Sequence, residues 1–171
     1  MDRLGVVHGK IAALCGSARC AGSALPVLTV AGDNLAIHAA LEGAEPGDVL
    51  IVNGQGDVSR ALFGGLLARK ARSKGIRGVV IDGCVRDIAE IRELAVPTWA
   101  RGVVAAGPLK HGPGVVGRPV ACGGVVCAPG DIVVADASGV AIVPLADVVG
   151  VAERAEAIQV WEAEAVRRLE Q

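Results

Sequence analysis

The sequence predicts an α/β fold, and two observations carry that prediction. Short β-branched apolar runs at residues 25–30, 49–52 and 78–82 alternate with segments whose apolar residues recur at helical spacing, at 33–41, 60–73 and 88–94. The changes from one pattern to the other are marked by turn chemistry, such as Glu45-Pro46-Gly47-Asp48 and Lys74-Gly75. Strands alternating with helices give a sheet with helices packed on it.

The elements follow in order. The first strand, 25–30, has Pro26 at its start, and Asp33-Asn34 can cap the helix that runs to Leu41 and ends near Gly43. Glu45-Pro46-Gly47-Asp48 launches the buried strand 49–52, and Asn53-Gly54-Gln55-Gly56-Asp57 is a polar loop. A helix over 60–73 leads to the strand 78–82, which runs straight into Gly83-Cys84-Val85-Arg86-Asp87. A short helix over 88–94 and a strand over 97–104 come next. The Gly- and Pro-rich stretch 107–117 reads as a loop serving a site or an interface. The rest is mainly β, with strands at 115–120, 124–127, 132–135 and 140–143, and the chain closes on a helix from about Leu145. Residues 45–52 and 128–135 echo each other as tight turns entering strands, with Asp48 and Asp131 as turn formers. The last segment, 148–171, has apolar residues at helical spacing, which fits equally a helix on its own domain and one docked on a neighbouring subunit.

Composition narrows the function classes. The 171 residues suffice for one core, so a single domain over 1–171 is expected, and 52% apolar with 20% charged residues places the chain among globular proteins. The large rings are Phe63, Trp99 and Trp161 alone and the net charge is −1, so nucleic-acid binding is not expected. Mean hydropathy is high at +0.51, yet charges or glycines interrupt every apolar run before the roughly 20 residues of a bilayer span. Met1-Asp2-Arg3-Leu4-Gly5 lacks a signal-peptide layout, which points to the cytoplasm. The five cysteines are odd in number and without C-x-x-C spacing, so they read as small buried hydrophobes rather than as a zinc or disulfide framework. Gly54-Gln55-Gly56 follows a strand without completing G-x-G-x-x-G, which excludes a nucleotide-cofactor fingerprint and methyl transfer.

Two places can carry chemistry. Phe63-Gly64-Gly65-Leu66-Leu67 can cradle an anion, since glycines admit a ligand to the backbone near a helix start; packing or a kink is the other reading. Arg86-Asp87 offers a guanidinium fork for carboxylate or enolate oxygens beside a carboxylate able to hold Mg²⁺. Spacing alone equally allows a surface turn with Asp87 capping the helix from Ile88.

Ordered blocks along most of the chain resemble the 4-hydroxy-4-methyl-2-oxoglutarate aldolase and ribonuclease-E-regulator family. They include Pro26-Val27-Leu28-Thr29-Val30, Gly32-Asp33-Asn34-Leu35-Ala36-Ile37-His38, Pro46-Gly47-Asp48-Val49-Leu50 and Leu62-Phe63-Gly64-Gly65-Leu66-Leu67-Ala68. Further blocks are residues 78–87, Cys122-Gly123-Gly124-Val125 and Pro129-Gly130-Asp131-Ile132-Val133. The resemblance implies a β/β/α sandwich of the swivelling phosphohistidine-domain type, assembled as a homotrimer or a hexamer of trimers. It implies divalent-metal-dependent lyase chemistry with Mg²⁺ or Mn²⁺. The reactions are retro-aldol cleavage of 4-hydroxy-4-methyl-2-oxoglutarate or 4-carboxy-4-hydroxy-2-oxoadipate to pyruvate, and oxaloacetate decarboxylation. By position, the pyruvyl group lies against Gly64, Gly65, Leu66 and Leu67, Arg86 holds its oxo or enolate oxygen, and Asp87 ligates the metal. Two alternatives stay open: a non-catalytic regulator binding ribonuclease E or another protein, and a related enzyme with a different oxo acid.

The chain departs from the family's pattern of an acidic residue, twenty residues, then Arg-Asp, because the acidic position is Gly65. Loss of that carboxylate is expected to weaken metal binding or abolish aldol chemistry, with Glu162 or Glu164 of a neighbouring subunit as the helper the resemblance implies. Asn53 stands where the family commonly has Asp, and the resemblance implies, as an expectation, a start after the first helices of full-length relatives.

Overall fold

A computed structural model describes residues 4–14 and 19–170. The expectations for Met1-Asp2-Arg3 and Cys15 lie outside the described residues. The architecture is mixed α/β, a nearly closed, barrel-like sheet with flanking helices.

Four strands form the parallel centre: β2 (Cys20–Thr29), β3 (Asp48–Asn53), β5 (Gly78–Val85) and β6 (Thr98–Val103). The helices α1 (Leu35–Gly43), α2 (Gly65–Ser73) and α3 (Ile88–Glu93) connect them. Antiparallel strands extend both sides: β1 (Ala12–Ala13) on β6, then β10 (Ile132–Asp136) on β2 and β11 (Gly139–Val143) on β10. The N-terminal segment bridges the two ends. Val6 pairs with Ala141, Val7 N–H donates to the Val140 carbonyl at 2.9 Å, and five residues later Ala12 pairs with Ala100. Trp99, fully buried, reinforces the closure by donating its indole N–H to the Asp136 carbonyl at 2.8 Å.

Period-two geometry divides the core. Leu50, Val52, Val79 and Ile81 face the helices beside Ile37, Leu41, Leu67 and Ile91; Val49, Ile51 and Val80 face the other layer with Trp99, Val133 and Ile142. Strands buried on both faces read as continuous apolar runs, which is why 49–52 and 78–82 were legible.

Both echoed turns are as expected. Asp48 accepts from the Glu45 N–H at 3.0 Å and Asp131 from the Ala128 N–H at 2.8 Å, with Gly47 and Gly130 at positive φ. Pro26 is not at a strand start but inside β2. Its carbonyl accepts from Gly117, and its missing N–H points to the same side, into the gap where β2 changes partner from β10 to β7 (Gly114–Val116).

Three further expectations need correction. The helix over 60–73 is a strand, β4 (Ala61–Phe63), followed by α2, because Phe63 pairs with Val85 at the end of β5 and tertiary pairing overrides the local period. The loop 107–117 contains β7, and the strand over 115–120 is split between β7 and β8 (Val120–Cys122), which pairs with β9 (Val125–Cys127). The C-terminal helix begins as a 3₁₀ turn at Leu145–Asp147 and continues as α4 (Val148–Leu169); none of its residues is buried, so it does not pack on its own domain. Cys84, Cys122 and Cys127 are buried free thiols, as read, while Cys20 is partly exposed. Among the described residues no helix is long and apolar enough to cross a membrane.

Trp99→Ala is expected to cost about 3–5 kcal/mol in urea denaturation, from the cavity and the lost closing contact, whereas Val126→Ala, at a position 69% exposed, stays within about 0.5 kcal/mol.

Candidate functional site

The site grows from the end of β5. Every residue of β5 is buried; β3 ends opposite Asp82, so the last residues of β5 pair with β4 instead, and their register against β6 shifts between Ile81 and Cys84. The chain emerges at Arg86, whose N–H donates to the Phe63 carbonyl at 2.9 Å, and Asp87 then turns with φ 56 and ψ 39. That left-handed conformation costs a non-glycine residue about 1 kcal/mol or more, and such strain concentrates at functional sites.

The expected cap is redirected. Asp87 stands at the N-cap of α3 but makes no side-chain cap bond there; its Oδ2 accepts instead from the Gly65 N–H at 3.0 Å, the first residue of α2. One carboxylate thus joins two helix starts. Gly64 has to lack a side chain for this, because a Cβ there would stand 2.6 Å from Asp87 Oδ2 and 2.9 Å from Arg86 Cγ. With the Gly65 N–H taken, the Leu66 and Leu67 N–H groups remain without acceptors among the described residues, at the positive end of a helix.

A cavity of about 260 Å³ opens here, walled by Gly64, Leu66, Leu67, Arg86 and Asp87. Gly65 is not on the wall. A Cβ at Gly65 would lie 1.8 Å from Glu90 Oε2, so the space belonging to a side chain at position 65 is filled by the carboxylate of Glu90, one helical turn beyond Asp87. Glu90 also pairs with Arg69 at 2.6 Å. Sequence reading missed Glu90; its signal was the i, i+3 spacing from Asp87 along α3.

Also missed were Asn34, His38, Gly107 and Lys110, which complete the wall from α1 and the loop after β6. Their placement depends on Asp33, a buried carboxylate. It accepts from the N–H groups of Leu35 at 2.9 Å, His111 at 2.5 Å and Gly112 at 3.0 Å, tying the loop to the start of α1. Capping of α1 therefore falls to Asp33, not to Asn34. Burial pushes the Asp33 carboxyl up, but those three hydrogen bonds and the nearby His111 outweigh it and hold the group below its ordinary value. Asn34 donates to the Leu62 carbonyl at 3.0 Å, leaving its buried Oδ1 without a partner. Arg60 steadies the same loop, donating to the Gly107 carbonyl at 2.8 Å. Of the helper glutamates, Glu164 pairs with Arg168 on exposed α4, at 3.7 Å.

A strand-end guanidinium, the Asp87 carboxylate and a helix N-terminus meet at the cavity, with the Glu90 carboxylate against Gly65. Comparisons with known proteins give the family. Residues 1–142 match the RraA-like family model, Aldolase/RraA, and the chain belongs to that family. It is 42% identical over 123 residues to a putative 4-hydroxy-4-methyl-2-oxoglutarate aldolase of Halalkalibacterium halodurans, covering 72% of this chain and 59% of that protein. It is 40% identical to a 4-hydroxy-4-methyl-2-oxoglutarate aldolase of Thermus thermophilus, covering 75% of this chain and 78% of that one. The crystal structure of Streptomyces coelicolor RraAS2, described as an unusual member of the RNase ES inhibitor RraA family, superposes with a TM-score of 0.84 at 30% identity, over 98% of this chain and 86% of that one.

Asp33→Asn is expected to lower stability by about 2 kcal/mol at pH 7 through loss of charge-assisted bonds. Because the folded-state value is depressed, that advantage is full above the usual 3.8 and disappears as pH falls through the lower folded value. Denaturation of wild type and variant as a function of pH should show the gap closing on the acid side.

Proposed function

We propose that this chain is a divalent-metal-dependent lyase acting on pyruvate-yielding oxo acids, cleaving 4-hydroxy-4-methyl-2-oxoglutarate or 4-carboxy-4-hydroxy-2-oxoadipate and decarboxylating oxaloacetate. The observation that carries this reading is the substitution at position 65: where the family's acidic side chain is missing, the Glu90 carboxylate occupies its space. The departure is thus an exchange of which element supplies the acid. A ribonuclease-binding role, the competing expectation, gives no reason for that exchange.

Asp87 and Glu90 suit a hard cation. Among the described residues no group of three or more His, Cys, Asp or Glu gathers; two carboxylates with water completing the sphere would be a donor set that Mg²⁺ or Mn²⁺ accepts. A divalent metal held there would supply positive charge that offsets the developing negative charge. The chain's own groups do the rest. The substrate's pyruvyl carboxylate accepts from the Leu66 and Leu67 N–H groups, and Arg86 donates to the oxo oxygen. In the aldol cleavage the C3–C4 bond breaks as the C4 hydroxyl loses its proton to solvent and becomes the carbonyl of a second oxo acid, and in the decarboxylation the C4 carboxylate leaves as CO₂. In both the electron pair passes toward C2, giving a pyruvate enolate whose oxygen carries the new charge, which a fixed guanidinium stabilises more than the ground-state carbonyl. Protonation at C3 then yields pyruvate. The swivelling-type layer arrangement, a cytoplasmic location and a trimeric or hexameric assembly belong to the same reading, and the lack of any buried residue in α4 supports a subunit contact there.

Pyruvate release from oxaloacetate with Mg²⁺ is the test. Arg86→Lys and Asp87→Asn should each lose about 10²-fold or more in kcat/KM. Glu90→Ala should lose about 10-fold or more and Gly65→Asp alone should be impaired by collision with Glu90, while Gly65→Asp combined with Glu90→Ala recovers activity. Full activity of Glu90→Ala would refute the exchange.

A further inference from the structure

We propose that Arg69 is a positioning residue for the carboxylate of Glu90: by donating from Nε to Glu90 Oε1 it holds the other oxygen, Oε2, in the side-chain space of Gly65. The inference rests on the reading of Asp87 and Glu90 as cation ligands given above, and it adds the group that orders one of them.

The two carboxylates meet at one residue but are held unequally. Asp87 Oδ2 accepts from the Gly65 N–H at 3.0 Å, a backbone anchor for a short side chain. Glu90 is longer, lies on a helix of six residues and is a third exposed, so many rotamers are open to its carboxylate in solvent. A Cβ at Gly65 would stand 1.8 Å from Oε2 and 3.0 Å from Oε1, which puts Oε2 deepest in the gap. Among the described residues the hydrogen bond that Glu90 makes with its side chain is the one from Arg69, at 2.6 Å. Without it no other donor there selects this orientation.

The helix places Arg69 for this role. It follows Gly65 one turn along α2, so the two share a face, and side chains on a helix lean toward its N-terminus, over the turn before. Gly65 leaves that turn bare, and the Glu90 carboxylate is seated between the bare backbone and the arginine. The next cation on α2, Lys70, is engaged elsewhere, with Glu42 of α1. Contact is made by Nε rather than by the terminal amino groups, so what aims the carboxylate is a donor at a fixed distance along the side chain.

Stability is not what the pair supplies. The Arg69 side chain is 63% exposed, and ion pairs at such positions contribute little to folding; α2 and α3 are held by Leu67, Ala68 and Ile91 in the common core. On a bound cation the arginine has two opposed effects. A guanidinium repels a divalent ion, but at an exposed position solvent and salt screen that repulsion over about 8 Å. Losing the hydrogen bond that orients a ligating carboxylate typically costs about 10- to 100-fold in metal affinity. Orientation therefore outweighs repulsion.

Mn²⁺ binding to the full chain, read from the electron paramagnetic resonance signal of the free ion, is the test. Arg69→Ala should bind Mn²⁺ about tenfold or more weakly than wild type. Arg69→Gln places an amide nitrogen as many bonds from Cα as Nε and removes the charge, and it should stay within about threefold of wild type. Glu90→Ala should lose at least as much affinity as Arg69→Ala. Unchanged or tighter binding in Arg69→Ala, an equal loss in Arg69→Ala and Arg69→Gln, or a loss in Arg69→Ala exceeding that in Glu90→Ala would overturn the positioning role and leave the roles of Asp87 and Glu90 standing. Wild-type affinity in Glu90→Ala, or no Mn²⁺ binding by wild type, would overturn the cation site itself and this inference with it.

Discussion

Burial of β5 on both faces is the constraint on which the rest of the structure depends. A strand with no exposed residue has no room for a solvated charge except at its end, so polar chemistry is expelled to the point where the chain leaves the sheet. The one carboxylate inside it, Asp82, is tolerated because it pairs with Arg101 and accepts from the Gly123 N–H at 3.0 Å. Those contacts fix β5 against β6 and the turn before β9. The strand end is thereby rigid, and Arg86 and Asp87 inherit that rigidity.

From that end the site is assembled by reuse of backbone groups. Asp87 spends one oxygen on the first N–H of α2 and takes a left-handed conformation to do so, which orients α2 toward the cavity with its next two N–H groups unused. Glycine at 64 and 65 is the steric condition for both carboxylates, each glycine ceding its side-chain space to a different acid. The same two residues thus link the backbone at the start of α2 to the Asp87 and Glu90 carboxylates. A change at either moves both.

The opposite wall depends on a different device, the buried carboxylate of Asp33. A loop rich in glycine and proline has little hydrophobic surface with which to anchor itself, and three N–H groups converging on one carboxylate supply the missing order. The loop can therefore be polar and exposed at Lys110 and still have a defined position relative to α1.

The sequence by itself determined the alternation of strands and helices, both aspartate turns and the pair Arg86-Asp87, because these are written in local period, turn chemistry and adjacency. It misread 60–64 as helix and 107–117 as plain loop, since β4 and β7 exist only through pairing with β5 and β2, partners distant along the chain. It showed that position 65 lacks an acid but not that the Glu90 carboxylate lies in that space, because nothing in one dimension shows that Glu90 folds back there. The hold of Asp33 on the loop at His111 and the donation of Gly65 to Asp87 were hidden for the same reason: a side-chain hydrogen bond across 22 or 78 residues leaves no periodic trace. Local energetics, which depend on neighbours in sequence, fixed the elements; long-range pairing, whose partners meet only after the chain has closed, decided where the charges meet.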